Sequence, residues 1–74
     1  MELTMVDRLL LYLIDGAKNV TMAMRTGGYV AGEVSSAYEE ASAVGYLEST
    51  TSGEDRLTPA GWARAAYVKN RQPD

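Results

Sequence analysis

The sequence predicts a mainly α-helical domain with a small β-hairpin, and three observations carry that expectation. Apolar residues recur at helical spacing between Met5 and Asp15 and again between Val30 and Val44. A short alternating stretch from Tyr46 to Thr58 is interrupted by turn-forming residues, and Thr58-Pro59 then opens a last helical segment. With 74 residues there is room for one hydrophobic core, so residues 1–74 read as a single domain with its core at about 4–70.

The first helix opens at Thr4-Met5-Val6-Asp7, where threonine and aspartate three apart form a variant of the capping box. Val6, Leu9, Leu10, Leu13 and Ala17 fall on one face, while Leu11 projects with Asp7 and Lys18 away from that stripe. Asp7 and Asp15 are assigned to helix capping and solvent exposure. Asn19-Val20-Thr21 offers cap-type residues to a short helix over Met22–Thr26, which Gly27-Gly28 closes. Met22 and Met24 alternate across it, so one is expected in the core and the other nearer the surface.

The longer helix, Val30 to about Val44, carries Val34, Tyr38, Ala41 and Val44 as its apolar stripe and ends at Gly45. Tyr46 to Thr50 reads as one strand, Thr51 to Asp55 as a turn, and Arg56 to Thr58 as the returning strand. The closing helix starts after Thr58 as cap and Pro59 in its first turn, runs to about Asn70, and uses Trp62, Ala65 and Ala66 as its apolar face. Trp62 is expected to clamp the hairpin onto the first helix, and Gln72-Pro73-Asp74 to fray.

Composition narrows the function. The chain is 46% hydrophobic and 23% charged, which marks a folding chain rather than a disordered tail. It contains neither cysteine nor histidine, which removes thiol chemistry, disulfides, thiolate metal sites and the usual general base. Ser35 and Ser36 therefore have no histidine to activate them. Glu39-Glu40 diverge by about 100° on a helix rather than converging on a substrate or metal. The glycine-rich run Thr26 to Gly32 lacks the order and the Lys-Ser/Thr ending of a phosphate loop. A non-enzyme with no cofactor and no metal is the expectation. The apolar run Leu9 to Ile14 is too short to span a bilayer and is bounded by Arg8 and Asp15, so a cytoplasmic protein away from the membrane is expected.

In order and spacing, several segments together resemble the winged helix-turn-helix transcription regulators. The similarity is to the minimal archaeal and phage-repressor-like group, and more distantly to the MarR and PadR families. The matching segments are Asp7-Arg8-Leu9-Leu10-Leu11-Tyr12-Leu13, Gly28-Tyr29, Val34-Ser35, Gly45-Tyr46-Leu47-Glu48 and Leu57-Thr58-Pro59-Ala60-Gly61, spanning about residues 6 to 67. The resemblance implies a double-stranded DNA partner, with the long helix in the major groove and the hairpin against adjacent phosphate. By position, Ala31, Gly32, Ser35, Ser36 and Glu39 face the groove, Arg56 lies on the wing, and Lys18 and Arg25 reach phosphate from the periphery, as Lys69 and Arg71 could.

The charge pattern departs from that family. Net charge is −3, and no lysine or arginine falls between Val30 and Val44, where Glu33, Glu39 and Glu40 stand instead. Base readout by arginine is excluded on this helix. A second expectation follows, a protein-interaction module whose acidic, serine-lined helix meets a basic protein partner. Small size and the stray Leu11 further predict a homodimer, with Leu3, Leu11, Tyr67 and Val68 at the interface.

Overall fold

The computed structural model describes residues 3–71. Four helices and one hairpin follow in the order α1 (Met5–Ile14), α2 (Val20–Thr26), α3 (Ala31–Ala43), β1 (Leu47–Ser49), β2 (Asp55–Leu57) and α4 (Pro59–Arg71). The expectation of a mainly helical chain with a small antiparallel hairpin holds, and the fraying expected of residues 72–74 lies outside the described residues. No helix of the described residues is long and apolar enough to cross a membrane.

The capping box at α1 is present in full. The Thr4 hydroxyl accepts the Asp7 N–H at 3.1 Å, and the Asp7 carboxylate accepts the Thr4 N–H at 3.4 Å. Val6, Leu9, Leu10 and Leu13 are buried as the stripe requires, and α1 is the element against which α2, α3, α4 and β2 all pack. α2 begins two residues earlier than expected, because the Asn19 carboxamide accepts the Met22 N–H at 3.2 Å and makes Asn19 the cap. Met24 is fully buried and Met22 exposed, the division that alternation predicts.

Three expectations about the core need correction. On α3 the buried stripe is Val34, Ala37 and Ala41, Tyr38 lies only partly buried at its flank, and Val44 is 56% exposed. Val44 has already left the helix as its C-cap, so the helical spacing no longer governs it. On α4, Trp62 is 52% exposed and Ala66 is exposed, while Gly61, Ala65 and Val68 face inward. The cause is Gly61: a Cβ there would collide with the Tyr46 carbonyl, so this glycine is where α4 meets the chain entering β1. Fixing residue 61 inward turns Trp62 about 100° away, and bulk loses to close backbone approach.

Asp7 is the third correction: it is 3% exposed rather than solvated. Arg64 grips it with two bonds, Nε to Oδ1 at 3.1 Å and Nη2 to Oδ2 at 3.3 Å. The Asp7 hydrogen bond, opposed by burial, raises the Arg64 pKa above its ordinary value. At the other end of α1, Lys69 reaches Asp15 at 3.1 Å on the surface. Asp7, Leu11 and Asp15 share one helical row, so that row faces α4, and Leu11 is half-buried within the chain itself.

Candidate nucleic-acid interface

The turn between α2 and α3 is built by Gly27, Gly28, Tyr29 and Val30. Gly28 has φ of 98°, a conformation open to glycine, and the Gly28 and Tyr29 N–H groups donate to the Arg25 and Met24 carbonyls at 3.1 Å each. Tyr29 then turns back onto α1, its ring meeting the edge of Tyr12 with centroids 6.2 Å apart. Its hydroxyl accepts from Arg8 Nη1 at 3.5 Å. This anchor sets where α3 starts.

Burial of Val34, Ala37 and Ala41 turns the other side of α3 to solvent. Ala31, Gly32, Ser35, Ser36 and Glu39 are all exposed, and Gly32 and Ser36 also line the groove between α3 and the start of α1. Most of that face is small. Val30 caps α3 without any side-chain hydrogen bond, leaving the N–H groups of the first turn without a side-chain partner. Arg25 stands beside this end, bordering a shallow depression with Met22, Thr26, Tyr29 and Ala31. Among the described residues, neither Arg25 nor Arg8 has a carboxylate within ion-pair distance.

Lys18 and Arg56 belong elsewhere. They border a different depression with Leu13, Glu48, Leu57 and Trp62, each near a carboxylate of the hairpin. Lys18 lies 3.8 Å from Glu54, and Arg56 lies 2.7 Å from Glu48, with both Nε and Nη2 directed at the same oxygen. Of the cations assigned to phosphate contact, only Arg25 thus adjoins the exposed face of α3 without an internal counter-charge. Between α3 and the start of α1 runs an open groove with Met5, Val6, Val30 and Ala37 along it and Glu33 and Glu40 as its charges. Among the described residues no group of three or more carboxylates is gathered as a metal site would require.

Asp55 positions the hairpin against the two helices. Its Oδ2 accepts the Val20 N–H at the start of α2 at 3.0 Å, its Oδ1 accepts the Tyr38 hydroxyl of α3 at 2.7 Å, and its own N–H donates to the Lys18 carbonyl at 2.7 Å. Tyr38 also bonds Ser49 on β1 at 3.0 Å. The Ser49 bond lowers the Tyr38 pKa, but burial and the Asp55 carboxylate outweigh it, and the net shift is upward.

Sequence reasoning placed Arg8 in the first helix, Tyr29 in the turn and Asp55 at the hairpin, and missed the contacts each makes. Arg8 sits off the apolar stripe of α1, which is a usable signal of exposure but not of position. Asp55 looks like any turn aspartate until the fold brings Val20 and Tyr38 to it.

The dimer residues divide similarly. Tyr67 is 47% exposed, Leu3 and Leu11 are half-buried, and Val68 is fully buried, so Val68 offers no area to a second copy. Compared with family models, curated proteins and solved structures, the chain matches none.

Proposed function

We propose that this chain is a winged helix-turn-helix transcription regulator that binds duplex DNA as a homodimer, with α2 and α3 as the helix-turn-helix and the β1–β2 hairpin as the wing. The observation that carries the reading is the outer face of α3. It is small and exposed, and it begins at an N-terminus free of side-chain capping with Arg25 beside it. Backbone N–H groups at such a terminus favour phosphate, and Arg25 adds a full charge.

A face without arginine reads bases by other means. Ala31 suits the thymine methyl group, the Ser35 and Ser36 hydroxyls donate or accept, and Glu39 can accept from the cytosine amino group. Gly32 lets the helix approach closely. Few phosphate contacts per copy mean that affinity depends on two copies acting together.

The test is anisotropy of labelled duplex from upstream of the protein's own gene at about 50 and about 200 mM salt. Salt-sensitive binding that survives unrelated competitor DNA supports the reading, and no binding at the lower salt sinks it.

One set of observations favours a second reading, a module that binds a basic protein surface. Arg56 is paired with Glu48 and Lys18 has Glu54 nearby, and Glu33, Glu39 and Glu40 lie exposed on α3. Retention of a basic partner by a chain that ignores DNA at low salt would select it.

A further inference from the structure

The seven cations of this chain are unevenly engaged. Lys18, Arg56, Arg64 and Lys69 each lie within 3.8 Å of a carboxylate. Arg71 lies over the ring of Tyr67, 5.6 Å from its centroid. The two that remain, Arg8 of α1 and Arg25 of α2, both adjoin Tyr29. Arg8 Nη1 donates to the Tyr29 hydroxyl, and Arg25 shares with Tyr29 the depression that also includes Ala31, the first residue of α3.

Tyr29 is held from two sides. Its half-buried ring meets Tyr12 edge-on at 84°, and its N–H is bonded to the Met24 carbonyl. Because the hydroxyl oxygen accepts from Arg8, the hydroxyl proton remains to be donated, and among the described residues no acceptor takes it. Two full positive charges and one neutral donor therefore flank a single turn with no carboxylate at ion-pair distance. The fork of a guanidinium matches the oxygens of a phosphate, and one already held by a hydrogen bond loses less freedom when it binds. Glu33, although in the first turn of α3, lines the groove on the Met5 side instead.

We infer that Arg8, Arg25 and the Tyr29 hydroxyl form one contact for the phosphate backbone of duplex DNA, Arg8 reaching it from α1 and Tyr29 positioning that arginine. The inference deepens the regulator reading and rests on it. It puts the electrostatic contacts around the α2–α3 turn rather than on the hairpin, where Arg56 is paired with Glu48. The contact stands beside Ala31, so a strand held there runs along the exposed side of α3.

The experiment is anisotropy of the same labelled duplex over a salt series from about 50 to about 200 mM. Arg8→Ala should lower the slope on logarithmic axes by about one unit, and the double variant with Arg25→Ala by about two. Arg8→Lys, which keeps the charge, should retain the slope. Tyr29→Phe keeps the ring on Tyr12 and the wild-type slope, but loses one hydroxyl and should weaken binding about threefold to tenfold. Residue 8 is exposed, so the circular dichroism and thermal midpoint of Arg8→Ala should match those of the wild type. A wild-type slope in Arg8→Ala, at any affinity, overturns the inference, as does undiminished binding by Tyr29→Phe, and both leave the regulator reading standing. A wild-type chain that ignores the duplex at the lowest salt removes that reading and this contact with it.

Discussion

The Tyr38 hydroxyl donates to Asp55 at 2.7 Å, and through that one carboxylate the hairpin is tied to both α2 and α3. Without it the Tyr38–Ser49 bond is the side-chain hydrogen bond that still joins the hairpin to α3. Asp55→Ala should therefore cost about 2–3 kcal/mol and Tyr38→Phe about 1 kcal/mol, read from urea unfolding. Equal costs would mean that the bond to the Val20 N–H contributes nothing.

The same pair gives a pH prediction. The folded Tyr38 releases its proton above the ordinary value of 10.0, because burial and Asp55 together exceed the Ser49 bond. A folded pKa raised above the unfolded one gives stability that is complete below the unfolded value and lost as pH rises through the folded value. Between about pH 9 and about pH 11 the wild-type chain should lose more stability than Tyr38→Phe. Parallel curves would show that Tyr38 takes no part.

Asp7 is buried with its charge shared between the α1 N-terminus and Arg64. Asp7→Ala removes the cap bonds and the ion pair together and should cost about 2–3 kcal/mol. Arg64→Ala leaves the capping box in place, and Arg64 is itself partly exposed, so about 1–2 kcal/mol is expected by the same unfolding measurement. A larger loss for Arg64→Ala than for Asp7→Ala would reverse this account.

Gly61 sits where a Cβ meets the Tyr46 carbonyl. Gly61→Ala normally favours a helix, yet here it must push α4 away from the chain entering β1 and should destabilise by about 1–3 kcal/mol. A raised thermal midpoint would show that the helix shifts at no cost.

If α3 meets DNA, Arg25→Ala should reduce the salt dependence of binding by about one unit of slope on logarithmic axes. Arg56→Ala should do less, since Glu48 already holds that guanidinium. Glu48→Gln releases Arg56 and should tighten binding at low salt. Looser binding after Glu48→Gln would remove the hairpin arginine from the interface.

Elements were legible wherever one short segment contains both the signal and its partner. Thr4 and Asp7 are three residues apart, and their capping box forms as the spacing predicts. The stripe Val6, Leu9, Leu10, Leu13 follows from helical period, whereas the exposed set Ala31, Gly32, Ser35, Ser36, Glu39 rests on the family resemblance. Trp62 and Val44 show where that reasoning stops. Hydrophobicity placed both inside, but the inward side of α4 is chosen by the backbone clearance at Gly61, and Val44 comes after the last helical turn.

By itself, then, the sequence determined the helices, the hairpin, the acidic character of α3 and the absence of thiol and imidazole chemistry, because local spacing and composition suffice for these. Only the tertiary structure decided which charges are free. Asp7 meets Arg64 across 57 positions of chain, Tyr38 meets Asp55 across 17, and Arg56 turns to Glu48 across the hairpin. A charged side chain is long and samples many directions, so its partner is fixed by which elements pack together, and no periodicity in the sequence records that.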